Sequence, residues 1–220
     1  MKLSKDTLAI FKNFASINSN ILLKPGTKLS TISAMKNVMS DVTIAETIPS
    51  EIGIYDLNEF LGAMSLFSDP ELDFAEKYIN IKEGDANIKF YGADASVLTV
   101  PSKSITFPAS DVDFTLTAAM LDMIRRTASV LRAEDLSIVG DSARLMLQVG
   151  DKKNATGNNY NKLVGTTDKS FHVNLKVENL KMLAGDYAVS ISSKKISRFK
   201  SVSTDLVYYV AVEADSTFDA

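Results

Sequence analysis

The chain has 220 residues, 45% hydrophobic and 23% charged, with 24 Lys and Arg against 27 Asp and Glu for a formal net charge of −3. That allows one large domain or two of about 100 residues each; any contact with nucleic acid must come from cations gathered on one surface, because the overall balance is not basic. The absence of cysteine excludes a disulfide framework and a zinc-thiolate site, and a soluble, cytosolic protein is expected: the start Met1-Lys2-Leu3-Ser4 lacks a signal-peptide run, and no stretch approaches the roughly 20 apolar residues of a membrane span.

The first predicted helix begins after Ser4, whose hydroxyl suits a helix N-cap. Leu3, Leu8, Ile10, Phe11, Phe14, Ala15 and Ile17 share one arc of its wheel, and Lys5 and Lys12 lie opposite with small or neutral Ala9, Asn13 and Ser16 between them. Residues 21–32 read as strand, Pro25-Gly26 turn and strand, followed by short strands at 42–44 and 52–55. A second helix runs from Asp56 to about Phe67, with Asp56 and Glu59 in capping-box spacing and Leu57, Phe60, Leu61 and Met64 as its buried stripe. Strands are expected near 72–74, 78–82, 87–91 and 96–100. Residues 99–113 read as an extended connector, since Pro101 and Pro108 bracket Ile105-Thr106-Phe107.

A third helix opens at Thr117 and exposes Arg125, Arg126 and Arg132 with one acid, Asp122. Strands follow near 136–139, 144–149 and 160–165, with an Asn-, Lys- and Gly-rich loop over 150–161. A strand at 171–174 leads into a short fourth helix through Val177, Leu180 and Leu183, ended by Gly185 and carrying Lys176 and Lys181. Strands near 187–192, 196–199 and 206–212 complete the chain.

The third helix repeats the first. Leu3, Leu8, Ala15 and Ser16 recur in register as Leu116, Leu121, Ala128 and Ser129, and Ser4, Phe11, Lys12 and Ile17 have the conservative counterparts Thr117, Ile124, Arg125 and Val130. Each half reads as helix, strands, helix, strands, which is the mark of a duplicated domain. The expected boundaries are a domain over 1–100, a connector over 101–113 and a domain over 114–220.

Chemistry is thin. There is no phosphate-binding G-x-x-x-x-G-K-[ST] loop and no G-x-G-x-x-G after a strand. His172 is the only histidine and falls in a strand pattern; Asp111 and Asp113, or Asp69, Glu71 and Asp73, sit in turns where solvated acids are common. No catalytic residue, metal or cofactor is expected. The positive signal is the i, i+7 spacing of Lys5 with Lys12 and of Arg125 with Arg132. It reads either as the ordinary solvated face of a helix or as a sparse surface that tracks phosphates without reading bases.

The segments Met1-Lys2-Leu3-Ser4-Lys5-Asp6-Thr7, Ile54-Tyr55-Asp56-Leu57-Asn58-Glu59-Phe60-Leu61-Gly62 and Ala211-Val212-Glu213-Ala214-Asp215-Ser216-Thr217 resemble the sliding clamp of T-even-type tailed phages. Phe107-Pro108, and Lys181-Met182 followed by Gly185-Asp186-Tyr187, share the likeness, which extends over essentially the whole chain. The resemblance implies an α+β fold of two similar clamp domains per chain. Helices would line the inner face and antiparallel sheets the outside of a ring closed by a homotrimer. It implies a non-enzymatic processivity factor that encircles duplex DNA irrespective of sequence in the cytoplasm of the infected bacterial host, without cofactor or membrane. An ATP-dependent clamp loader would place it on DNA, and the replicative DNA polymerase would dock by a C-terminal peptide.

Under that resemblance Lys5, Lys12, Arg125, Arg126, Arg132, Lys176 and Lys181 are the expected DNA-facing cations. The partner-peptide pocket is expected at Val100, Ile105, Phe107, Pro108, Tyr209 and Ala211, residues that alternatively do no more than seal the two domains. Ring closure is expected at strand edges near 96–100 and 160–165, since an unpaired edge invites another strand. Two rival readings are a peptide-binding scaffold of the same fold that does not encircle DNA, and a metal hydrolase using Asp111 and Asp113.

Overall fold

The computed structural model describes residues 1–154 and 156–218, and the chain divides into two compact units, Met1–Ser104 and Ile105–Ala220. The division falls within the expected connector and assigns Ile105 onward to the second unit. Among the described residues no helix is long and apolar enough to cross a membrane.

In the first unit α1 (Lys5–Ile17) starts where the Ser4 hydroxyl accepts the Thr7 N–H at 3.2 Å. It buries Ile10, Phe11, Phe14 and Ile17. Thr7, outside the apolar arc, is buried as well, because its hydroxyl donates to Glu46 at 2.5 Å. Burial pushes the Glu46 carboxyl up, yet the hydrogen bonds from Thr7 and Ser4 outweigh it and hold the group below the ordinary range. The strands β1 (Ile21–Leu23), β2 (Gly26–Ile32), β3 (Val38–Ile48) and β4 (Ile52–Ile54) follow, β1 pairing with β4 and β2 with β3, all antiparallel. Gly26 takes φ +116° at the head of β2, a conformation that suits glycine. Then α2 (Leu57–Ser65) is capped by Asp56, which accepts from the N–H groups of Asn58 and Glu59. The unit closes with the antiparallel meander β5 (Glu71–Phe74), β6 (Tyr78–Glu83) and β7 (Ala86–Tyr91). Phe60 of α2 joins the layers, 6.3 Å from the Phe11 ring and 5.2 Å edge-on from Phe90.

The strand expected at 96–100 is absent. Residues Ala95–Val97 form a single 3-10 turn capped by Asp94, whose carboxylate accepts the Ser96 N–H at 2.8 Å. The Thr99 N–H donates to Asn20 Oδ1 at 3.0 Å and its carbonyl accepts from Asn18 Nδ2 at 2.8 Å. Two asparagine side chains thus take the backbone groups that a ladder would have used.

The second unit opens with β8 (Val112–Leu116), which begins in the last two residues of the stretch read as connector and pairs with β13 (Tyr187–Ser192). The helix α3 (Ala118–Leu131) is capped by Thr117, whose hydroxyl accepts the Met120 N–H at 3.2 Å, as Ser4 caps α1. It buries Leu121, Ile124 and Ala128 and ends at Arg132, which adopts φ +52°. Replacing Thr117 by Ala is expected to cost about 1 kcal/mol, read as a lower urea midpoint; Thr117→Ser should restore it, and an unchanged midpoint in the Ala variant would remove the cap from the account. Two antiparallel sheets complete the unit. One runs β11 (Tyr160–Thr166), β10 (Arg144–Gly150), β9 (Asp135–Asp141), β12 (Ser170–Lys176) and β16 (Thr217–Phe218); the other places β14 (Ile196–Ser201) between β13 and β15 (Val207–Ala211).

The expected fourth helix is a single 3-10 turn, Val177–Asn179. Beyond it Leu180 and Met182 are buried at 2% and 3% while Lys181 between them is exposed, an extended alternation. The carbonyls that helical hydrogen bonds would need are taken by side chains. Arg125 Nη2 donates to Leu180 O and Met182 O, both at 2.6 Å, and the Tyr187 hydroxyl donates to Leu183 O at 2.6 Å. The Leu183 N–H in turn donates to Tyr208 Oη at 3.1 Å.

Candidate nucleic-acid and partner-binding surfaces

Helix α1 has a wet face opposite its core face. Lys5 and Lys12 stand there, seven residues and nearly two full turns apart, both exposed. Neither makes an ion pair among the described residues.

The equivalent face of α3 is differently employed. Arg125, in register with Lys12, is half-buried and spends its guanidinium on the Leu180 and Met182 carbonyls. Arg126 pairs with Asp122 at 2.6 Å, both more than half exposed, a surface pair of small energetic value. Arg132 is exposed at the helix end and makes no ion pair among the described residues. Lys176 terminates β12 and reaches Asp135 at 2.8 Å and Glu134 at 3.2 Å. The hydrogen bond that the Lys176 ammonium donates to Asp135, a residue only 2% exposed, is the main cause that raises the Lys176 pKa. Lys181 is exposed beyond the 3-10 turn, on a loop rather than a helix. Of the seven cations, Lys5, Lys12 and Arg132 are thus exposed without an ion pair, and Arg125 and Lys176 also hold structure.

Of the expected pocket residues, Val100 belongs to the first unit and Ile105, Phe107, Pro108, Tyr209 and Ala211 to the second. In the second unit the Phe107 ring stacks on Tyr209 with centroids 6.5 Å apart and planes 30° from parallel. The Arg198 guanidinium lies 4.6 Å from the Phe107 centroid, and its Nη2 donates to the Ser190 hydroxyl at 3.1 Å. Ile105, Pro108 and Ala211 are half-buried. In the first unit Val100 borders a cavity of about 380 Å³ with Leu22, Pro25, Met39 and Pro101. Leu22 and Met39 line it although neither stands out in the sequence, because Leu22 sits within the apolar run Ile21-Leu22-Leu23 and Met39 follows Val38, so that each passes for an ordinary core residue of its strand.

The carboxylates weighed as metal ligands have other work. Asp111 accepts the Ser193 N–H at 2.7 Å, which holds it below the usual carboxylate range. Asp113 accepts from the Ser110 hydroxyl at 3.0 Å, and Asp73 pairs with Lys82 at 2.7 Å. No cluster of three or more acidic or histidine side chains suited to a metal ion occurs among the described residues. His172 is exposed on β12 and borders a polar cavity of about 470 Å³ that also takes in Gln148, Lys152 and Asp215.

Comparison with known proteins bears on these surfaces. The family described as DNA polymerase processivity factor matches residues 4–100. The sliding clamp of Escherichia phage RB69 is 33% identical, with 100% of both chains covered, and that of Enterobacteria phage T4 is likewise 33% identical with full coverage of both. Among solved structures, the clamp PCNA of A. fulgidus, bound there to the C-terminal region of FEN-1, superposes with a TM-score of 0.70. At 14% identity over 99% of this chain and 100% of that one, it carries the fold alone. Full-length identity of this order with two phage clamps, and a fold of paired capped helices and antiparallel sheets shared with PCNA, lead to one conclusion: the chain belongs to the sliding-clamp family of DNA polymerase processivity factors.

Proposed function

We propose that three copies of this chain close into a ring around duplex DNA, loaded by an ATP-dependent clamp loader in the cytoplasm of the infected bacterial host. The ring tethers the replicative polymerase through a short C-terminal peptide and performs no chemistry of its own. The observation that carries this reading is the α1 surface: two exposed lysines two turns apart, with small or neutral residues between them, on a helix whose register is repeated in the second unit. Retention by topology needs weak, sequence-neutral contacts. Dense phosphate binding would oppose sliding, and a chain of net charge −3 with few free cations on its helices suits that requirement.

The strand edges support closure between copies. β7 and β11 each end a sheet, whereas the N-terminal amine of Met1 donates to Leu72 O at 2.7 Å and its carbonyl accepts the Leu72 N–H, which covers β5, and β16 covers β12. With no strand at 96–100, β7 takes its place beside β11 as the proposed pair of ring-closing edges. Lys5, Lys12, Arg126, Arg132 and Lys181 are the proposed DNA-facing cations, with Arg125 and Lys176 contributing charge from fixed positions.

Protein loaded on nicked circular DNA by a clamp loader and ATP should co-elute with that DNA, sediment as three chains, and be lost when the circle is cut. Reversing Lys5 and Lys12 to Glu should reduce the loaded amount several-fold, since every cation withdrawn from the phosphates weakens binding, while leaving the melting temperature unchanged. Equal retention on circular and linear DNA would sink the topological reading, and a stable monomer would favour a peptide-binding scaffold instead.

A further inference from the structure

Arg125 is held on one side and open on the other. Its Nη2 donates to the Leu180 and Met182 carbonyls, which engages both hydrogens of that nitrogen. The N–H groups on Nε and Nη1 make no hydrogen bond among the described residues, and neither atom is sealed from solvent. The side chain borders a cavity of about 490 Å³, where the short side chains of Ala128, Ser129 and Ala133 leave the guanidinium approachable.

The two carbonyls are themselves fixed from the core. Residues 180–183 belong to no helix or sheet ladder, so their backbone needs other partners. The Tyr187 hydroxyl donates to Leu183 O at 2.6 Å, and the Leu183 N–H donates to Tyr208 Oη at 3.1 Å. Tyr187 on β13 and Tyr208 on β15 are 1% and 0% exposed, and their rings meet edge-on. Two immobile tyrosines thus pin Leu183, Leu183 fixes the carbonyls just before it, and those carbonyls fix the guanidinium. A free surface arginine must give up rotamer freedom when it meets a ligand. Arg125 has given it up in advance.

We propose that Tyr187 and Tyr208 are positioning residues for DNA: by pinning Leu183 they aim Arg125, whose free N–H groups then meet a backbone phosphate. The inference rests on reading the α3 face as DNA-facing, and it adds that one contact of that face is set from the buried core. Phosphate is the fitting ligand because the open donors belong to a full positive charge that carries no acceptor of its own. Glu134 and Glu178 line the same cavity and offset Arg125 and Lys176, so a phosphate is met there without being trapped. Lys12 on α1 works differently, as a flexible point charge that owes nothing to these tyrosines.

The test is a double-mutant cycle on the full chain, read by the anisotropy of a short labelled duplex at low salt. Arg125→Gln removes the charge yet leaves an amide that can donate to one of the carbonyls. It should weaken duplex binding about threefold, the size expected of one exposed charge contact. In the background Tyr187→Phe, Tyr208→Phe the same change should have almost no effect, because the guanidinium there is no longer aimed. Tyr208→Phe alone, which keeps the Tyr187 bond, takes the place of the double variant if that melts near the assay temperature. Lys12→Gln should weaken binding equally in both backgrounds, which a general loss of fold would not reproduce. An Arg125→Gln effect of the same size with and without the tyrosines overturns the positioning role and leaves the DNA contact standing. A Lys12→Gln effect with no Arg125→Gln effect removes Arg125 from the DNA surface and overturns the proposal. If neither change matters, the DNA-facing reading of these helices falls together with the proposal, and retention on circular DNA then shows whether the ring itself stands.

Discussion

Replacing Arg125 by Ala is expected to destabilise the second unit by about 3 kcal/mol, since hydrogen bonds from a charged donor contribute about 1.5–3 kcal/mol each and the Leu180 and Met182 carbonyls would lose theirs together. For a chain of this size that corresponds to a fall of roughly 6–12 °C in melting temperature. The equivalent change on α1, Lys12→Ala, removes an exposed cation that makes no ion pair, and should move stability by less than about 0.5 kcal/mol. Two residues in the same register of a duplicated helix therefore give opposite signatures. Lys12 should affect loading on DNA at constant stability; Arg125 should affect stability first and DNA through it.

Arg125→Lys separates the alternatives further. A lysine keeps the positive charge but not the planar guanidinium whose Nη2 reaches two carbonyls at once. If charge toward DNA were the residue's main contribution, the Lys variant would be close to wild type in both assays. If the loop is what it holds, the Lys variant should recover only part of the lost melting temperature. An Arg125→Ala protein with an unshifted melting curve would refute the structural role.

The contrast shows what could be read from the sequence. Helix starts were legible because a cap is local: Ser4, Asp56 and Thr117 each sit within three residues of the N–H they accept, and each caps as its type dictates. The apolar arcs of α1 and α3 were legible for the same reason. The errors fall where a distant side chain captures backbone. Thr99 is claimed by Asn18 and Asn20, roughly 80 positions earlier in sequence, and Leu180 by Arg125 across 55 positions. No periodicity within 96–100 or 177–183 records those partners, although the alternation of Leu180, Lys181 and Met182 does favour an extended chain over a helix. For the candidate surfaces, the sequence supplied which cations recur. It did not supply which are spent, because Glu134 and Asp135 reach Lys176 only once β9 and β12 are paired.

The second large effect is expected in alkali. Burial pushes the Tyr187 hydroxyl up to about 12 and Tyr208 higher still, and their rings meet edge-on at 6.0 Å. The unfolded chain ionises a tyrosine near 10, so between 10 and 12 the unfolded state sheds protons that the folded state keeps. A raised folded pKa therefore gives stability that is fully present below pH 10 and is lost as pH climbs toward the folded values. The two tyrosines together should cost about 3 kcal/mol between pH 9 and pH 11, at about 1.4 kcal/mol per unit for each. Lys176, also raised, acts in the same direction through its bond to Asp135, so the wild-type slope alone does not isolate the tyrosines. The double variant Tyr187→Phe, Tyr208→Phe does. It should be less stable at neutral pH, because the Leu183 N–H and carbonyl lose their partners, yet its urea midpoint should fall much less steeply from pH 9 to 11. Parallel pH profiles for variant and wild type would mean that the tyrosines do not govern the alkaline limit. Because these hydroxyls hold Leu183 while Arg125 holds Leu180 and Met182, alkali and the Arg125→Ala change should loosen the same loop, and combining them should destabilise by less than the sum of the separate effects.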